Sequence, residues 1–110
     1  MFRVVYEAVL RGLPEELECL SNLYRVLSTK GMCIGSQTMF ICSYRDSIII
    51  KVTPHSSKYI QGMQLYRDVA QPLTIAIVIE GGGADDIIDA TTTVYDTAKS
   101  CGLSIRLLSE

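Results

Sequence analysis

Residues 73–79 read Leu73-Thr-Ile-Ala-Ile-Val-Ile79, the most strand-like run in the chain. The glycines Gly81, Gly82 and Gly83 end this run, and residues 84–100 then carry apolar side chains at helical spacing. Gly102 ends the predicted helix, because glycine readily adopts the left-handed conformation found after helices. Residues 103–108 predict another strand. The stretch therefore predicts a strand, a glycine loop, a helix and a strand, which indicates a fold that combines helices with a sheet.

The rest of the chain adds three strands and two helices on the same periodicity arguments. Pro14 opens the first helix, because a proline at the first helical position loses no hydrogen bond. The segment Met32–Ser36 is interpreted as a connector. The strands are predicted at 3–10, 38–44 and 47–53, and the helices at 15–29 and 56–70.

The predicted element order is β-α-β-β-α-β-α-β within a single domain, residues 1–110. Its first six elements match the order of a ferredoxin-like split β-α-β unit, and an α-β unit follows them. We therefore expect an α+β fold. Its form would be a two-layer α/β sandwich with the helices on one face of a mixed, mostly antiparallel sheet.

The composition is that of an ordinary globular domain. Of the 110 residues, 48% are hydrophobic and 20% are charged, and the formal net charge is −2. The sequence has no stripe of basic residues, which is the pattern that would indicate nucleic-acid binding. The longest uncharged apolar run, residues 72–79, is too short to cross a bilayer. Because the first residues show no signal-peptide pattern, we expect a cytoplasmic protein without a membrane partner.

The four cysteines have no spacing typical of a metal site. No two of them form a C-x-x-C pair, and the single histidine, His55, is distant from all of them in sequence. Reduced, buried thiols of a cytoplasmic protein are the simpler interpretation. We therefore predict no metal, no cofactor and four free thiols at Cys19, Cys33, Cys42 and Cys101.

The three glycines occupy the place of a phosphate-binding loop, between a strand and a helix. The backbone N–H groups of Gly81, Gly82 and Gly83 would bind an anion or a phosphate-bearing ligand there. The alternative is a tight turn before a helix that its own acidic residues stabilise. A carboxylate cluster for a hard cation is a further alternative, and its members would be Glu80, Asp85, Asp86 and Asp89.

The predicted sheet has a second face that no predicted helix covers. Its side chains are largely apolar, and an exposed apolar face of this kind usually marks an interface. We therefore expect a small, non-catalytic binding or assembly module that forms a homodimer through this face. The predicted interface residues are Val5, Val9, Ile49, Val78 and Leu108.

RNA binding within a ribonucleoprotein is the alternative function. RNA-recognition modules of this fold stack bases on exposed aromatic side chains. The β-α-β-β-α-β order, with residues 48–53 leading into a helix, resembles the small α/β protein subunit of ribonuclease P, although no motif assigns a role to any residue. The candidate side chains are Arg3, Arg45, Lys51, Lys58, Arg67 and Arg106 for phosphates and Tyr6, Phe40, Tyr44, Tyr59 and Tyr66 for stacking.

An enzyme is the least favoured class. His55 is followed by Ser56 and Ser57, but sequence neighbours rarely reach the geometry of a nucleophile and its base, and the nucleophile-elbow motif is absent. The sequence therefore predicts no catalytic residue.

Overall fold

A computed structural model of this chain describes residues 1–36, 39–54 and 73–108. They form an α+β domain with one six-stranded sheet, in the order β2-β3-β4-β5-β1-β6, and every neighbouring pair of strands is antiparallel. The elements in chain order are β1 (Phe2–Leu10), α1 (Pro14–Ser28), β2 (Gly31–Gly35), β3 (Phe40–Tyr44), β4 (Ile48–Pro54), β5 (Leu73–Gly81), α2 (Ala84–Ser100) and β6 (Ser104–Leu107).

Alternation along the strands separates the two faces of this sheet. In β1 the even-numbered residues Tyr6, Ala8 and Leu10 are buried in the core, as the sequence predicts. The central strands β4 and β5 contribute a block of fully buried side chains to the same core: Ile48, Ile50, Val52, Ile75, Ile77 and Ile79. Because α1 and α2 both pack on this side, we call it the covered face.

The two helices each bury an apolar stripe against the covered face. Leu20, Leu23 and Leu27 of α1 belong to the same buried cluster as Val94 and Ala98 of α2. The start of α1 is fixed by Glu16, whose Oε1 atom accepts the backbone N–H groups of Arg11 at 2.6 Å and Leu13 at 3.1 Å. The side chain of the third helical residue therefore satisfies two backbone N–H groups that lie just before the helix.

The ferredoxin-like order is not confirmed. In the observed sheet β5 lies between β4 and β1, and β1 pairs with β5 and β6. The segment Met32–Ser36, predicted to be a connector, lies largely within strand β2. Gly35 lets β2 lie close to β3, since its φ is +134° and a Cβ there would stand 2.4 Å from the Met39 carbonyl oxygen. The predicted helix at 56–70 lies outside the described residues.

The prediction of four free thiols is wrong. Cys33 and Cys42 are direct partners across β2 and β3, with Cα atoms 4.0 Å apart, and they form a disulfide. Cys19 of α1 and Cys101, just after α2, form a second one with a Cα separation of 5.6 Å. Sequence spacing gives no sign of either pair, because the segment that forms β2 resembles a connector and because Cys19, inside α1, meets Cys101 only in the folded chain.

Reduced thiols would be typical of a cytoplasmic protein, whereas disulfides persist chiefly in oxidising compartments. The two disulfides therefore give no support to a cytoplasmic location. That location stays an untested prediction. In the part of the chain that the structure describes, neither helix has the length and apolar character needed to cross a membrane.

Candidate functional site

The candidate site is the second face of the sheet, which we call the open face because α1 and α2 lie on the other side. Strand register places its side chains in rows that cross the strands. The longest row runs from β2 at one edge to the segment after β6 at the other, and it consists of Ile34, Ile41, Lys51, Val78, Val5 and Leu108. Lys51 is the single charged member of this row.

Four exposed apolar side chains lie together at the β2 end of the open face. Met32 is 69% exposed, Ile34 67%, Ile41 43% and Ile49 40%. Ile34 is the direct partner of Ile41, and Ser43 lies between Met32 and Ile49 in the next row. These four side chains form one surface on three adjacent strands, which we call the apolar patch.

The other half of the open face carries ion pairs. Glu80 accepts Arg3 Nε at 2.9 Å and lies 3.8 Å from Lys51 Nζ. Glu7 lies 2.8 Å from Arg106 Nη2 on the neighbouring strand. Three cations therefore meet two carboxylates, so this half of the face carries little net charge. Surface pairs of this kind contribute about 0–1 kcal/mol each to stability.

The predicted interface residues all occur on the open face or at its rim, but they differ in available surface. Ile49 belongs to the apolar patch. Val5 is only 7% exposed, since it is enclosed between Val78 and Leu108. Val9, Val78 and Leu108 are half-buried. The interface assignment stays a prediction, and the exposed apolar side chains of the open face lie nearer β2 than most of the predicted residues do.

Sequence reasoning missed three members of the apolar patch. The sequence pattern predicts a connector at Met32 and Ile34, and it does not assign Ile41 to either face of the sheet. The signal was present in the alternation of Met32-Cys33-Ile34, where the cysteine faces the core and its two neighbours face outward. Two flanking glycines concealed it, because glycines usually indicate a loop.

The predicted anion-binding loop lies at the C-terminal end of β5. Gly81 is buried, and a Cβ there would stand 2.2 Å from Ile48 Cδ1, so close packing against β4 explains this glycine. Asp86, in the first turn of α2, has a carboxylate oxygen 3.4 Å from where a Cβ on Gly83 would stand, and it accepts the Ser47 hydroxyl at 2.6 Å. A carboxylate thus already lies beside the start of the helix. Anion binding at Gly81, Gly82 and Gly83 stays a prediction.

Three of the four acidic residues near this loop are engaged in separate contacts. Asp86 binds Ser47, Glu80 binds Arg3, and Asp89 accepts the Tyr44 hydroxyl at 2.5 Å. Among the described residues, no three histidine, cysteine, aspartate or glutamate side chains are grouped so that they could hold a metal ion.

Tyr44 and Asp89 form a polar contact between the sheet and α2. The hydrogen bond from Tyr44 lowers the pKa of the Asp89 carboxyl; burial opposes this shift, while Arg45 and Lys30 add to it. Burial raises the pKa of the Tyr44 hydroxyl, and the hydrogen bond to Asp89 adds to that rise. Because Tyr44 lies in β3 and Asp89 in α2, this contact fixes the helix over the β3–β4 hairpin.

The described aromatic side chains proposed for base stacking face the core. Tyr6, Phe40 and Tyr44 are all buried on the covered face. Tyr59 and Tyr66, like His55 and Ser56, lie outside the described residues. Three of the predicted phosphate contacts, Arg3, Lys51 and Arg106, are in the ion pairs of the open face.

No family model, no curated protein and no solved structure matches this chain.

Proposed function

We propose that this protein is a non-catalytic assembly module that associates with a second copy of itself through the open face. The observation that supports the proposal is the apolar patch, whose four large side chains are 40–69% exposed on adjacent strands. A contiguous exposed apolar surface with a polar rim is characteristic of interaction sites. Full burial of such a side chain is worth roughly 1.5–3 kcal/mol before the costs of association.

The charges around the patch favour a second copy as the partner. A two-fold interface brings the same surface to itself, so any excess of one charge would repel its copy. Here the two carboxylates of Glu80 and Glu7 nearly balance the three neighbouring cations. The pair formed by Lys51 and Glu80 also gives each copy one cation and one anion at the edge of the patch.

The proposal is tested by the oligomeric state of the full chain. We expect sedimentation equilibrium to give a dimer at high micromolar concentration. Ile41→Lys places a charge in the middle of the patch, and it should convert the dimer to a monomer, since desolvating an unpaired ammonium costs several kcal/mol. Met32→Lys, at the most exposed position of the patch, is the second variant in case Ile41→Lys impairs folding.

A matched control is available on α2. Ile88 is a 63% exposed isoleucine that lies on the helix and not on the open face, so Ile88→Lys should leave the dimer intact. Urea denaturation at low concentration would establish that all three variants fold. A monomer for the unmodified chain at high micromolar concentration would refute the proposal.

RNA binding is the second candidate, and it has less support from the described residues. All four of its basic side chains within the described residues are in ion pairs, and three of its aromatic side chains are buried. Binding to RNA would weaken steeply as salt increases, because phosphate contacts release counterions. Tight RNA binding with that salt dependence would favour this candidate over self-association.

A further inference from the structure

We propose that the outer edge of β2, together with the cavity beside it, binds an extended peptide segment of another protein, which adds to the sheet alongside β2. The cavity has a volume of about 320 Å³ and is lined by Ser21 and Tyr24 of α1 and by Gly35 and Ser36 at the end of β2. This surface is distinct from the apolar patch, since it uses the backbone edge and the helix side of β2.

The hydrogen-bond pattern shows which backbone groups the edge offers. The carbonyl of Lys30 accepts Arg45 N–H, and Ser36 N–H donates to the Met39 carbonyl, so the even-numbered residues point toward β3. In an antiparallel pair the residues between them point away from that neighbour. The N–H and C=O groups of Gly31, Cys33 and Gly35 therefore face outward, and among residues 1–36, 39–54 and 73–108 no strand pairs with them.

Within the described part of the chain, the carbonyl group of Cys33 has a side-chain contact. The Tyr24 hydroxyl lies 3.2 Å from the Cys33 carbonyl oxygen, a long distance for an O–H···O hydrogen bond. A carbonyl oxygen has two lone pairs, so this one retains the capacity to accept an N–H group from an added strand. Backbone donors and acceptors in this spacing are complementary to an extended chain, which is how strand addition to a sheet edge gains affinity.

The cavity distinguishes a foreign peptide from a second copy of β2. If two copies paired about a two-fold axis at Cys33, Gly31 of the second copy would lie opposite Gly35. Glycine has no side chain, so the cavity next to Gly35 would remain empty. A peptide with an aliphatic or aromatic residue opposite Gly35 places that side chain against the Tyr24 ring. The geometry therefore favours a heterologous segment with an apolar residue at that position.

The test uses a defined probe and the full, oxidised chain. The probe is the capped peptide Lys-Thr-Val-Thr-Leu-Thr-Val-Thr-Lys, compared with the same peptide carrying alanine at its centre. We expect the leucine peptide to bind about tenfold more tightly, as burial of the larger side chain implies. NMR hydrogen exchange should show new protection of the Cys33 and Gly35 amides, whereas the Ile34 amide, which already points toward β3, changes little.

Two matched controls separate strand addition from nonspecific contact. Alternate amides of the bound peptide point to opposite sides. N-methylation of the amides that face β2 should therefore abolish binding, and N-methylation of those that face away should not. Ser21→Leu fills the cavity from α1, so it should remove the preference for leucine over alanine while amide protection persists. Equal binding of both methylated peptides would overturn the proposal, and the peptide comparison stands even if Ser21→Leu fails to fold.

Other occupants of the edge give different results. Protection of Cys33 and Gly35 that grows with protein concentration in the absence of peptide would identify a second copy as the occupant. Protection in the free protein at low concentration would mean that the edge is already paired. Either result overturns the proposal. Face-to-face association through the open face leaves these amides unpaired, so its success or failure does not affect this outcome.

Discussion

The two faces of the sheet use the same residue type for different purposes. Five isoleucines on the covered face, at positions 48, 50, 75, 77 and 79, are almost completely buried. Three on the open face, at positions 34, 41 and 49, retain 40–67% of their surface. Since neighbouring residues of one strand point to opposite faces, a shift of one position decides whether an isoleucine stabilises the fold or is available to a partner.

This difference shows why composition says little about the function of this chain. The covered face explains stability without reference to any partner, because α1 and α2 close it. The apolar patch has no such explanation within the described residues. Polar residues at these positions would make the protein more soluble. They would also be compatible with the fold, because an antiparallel sheet can expose a polar face to water.

The largest effect is expected for the disulfide that joins the two helices over the covered face. Cys19 and Cys101 are 82 positions apart, and Cys33 and Cys42 only 9. In the chain-entropy model the longer loop contributes roughly 4–5 kcal/mol and the shorter one about 3 kcal/mol. Replacing Cys19 and Cys101 by alanine should therefore lower the free energy of unfolding more than replacing Cys33 and Cys42, as measured by urea denaturation.

The two double variants are well matched. Each pair has one cysteine that is 1% exposed, Cys19 or Cys42, and one that is half-buried, so the loss of buried sulfur is similar in both. Thiol titration of the unmodified protein checks the premise, and four reactive thiols under denaturing, non-reducing conditions would contradict it. Equal losses in the two variants would show that loop length does not determine the contribution.

A smaller effect separates the two faces at adjacent positions. Ile50 of β4 is completely buried, and its neighbour Ile49 belongs to the apolar patch. Ile50→Ala should lower the free energy of unfolding by about 2–5 kcal/mol through lost burial and a cavity. Ile49→Ala should change it by less than about 1 kcal/mol when the protein is dilute. Similar losses in urea denaturation would mean that the open face is covered in the monomer.

The elements with local signals were predicted correctly. The alternation of β1, the leucine stripe of α1 and the helix after the three glycines are each determined by residues close in sequence. The β3–β4 hairpin was also recognised, although its turn uses Arg45 and Asp46, both at positive φ, in place of the preferred Asn-Gly. Local periodicity therefore located most of the described elements.

The remaining features depend on contacts between distant residues. The pairing of β1 with β5 joins residues about 70 positions apart, and no alternation pattern identifies the partner of a strand. The apolar patch can be predicted only if β2 is identified as a strand. A five-residue strand with a glycine at each end resembles a loop, so the sequence conceals it. The Cys19–Cys101 disulfide depends on a contact of this long-range kind, and the Cys33–Cys42 disulfide depends on the strand β2, so cysteine spacing alone predicts neither.

The smallest effect concerns the polar contact that holds α2 on the covered face. Tyr44→Phe removes the hydroxyl that donates to Asp89 and should lower the free energy of unfolding by about 1 kcal/mol near neutral pH. Asp89 is 41% exposed, so solvent screening keeps the effect small. The measurement is urea denaturation of both proteins across a range of pH.

The stability difference between the unmodified protein and Tyr44→Phe should depend on pH. The hydrogen bond from Tyr44 lowers the pKa of Asp89 below 3.8, so its contribution is fully present above that pH and is lost as the pH falls through the folded value. The pKa of Tyr44 is raised above 10.0, so its contribution is lost as the pH rises beyond 10. The difference in the free energy of unfolding between the unmodified protein and Tyr44→Phe should therefore be largest between these limits and shrink on both sides.

Tyr24→Phe is the matched control. The Tyr24 hydroxyl binds a neutral carbonyl, so its loss should give a difference that does not change in acid. A Tyr44→Phe difference that is constant from pH 3 to pH 7 would show that the hydroxyl acts without the Asp89 carboxylate.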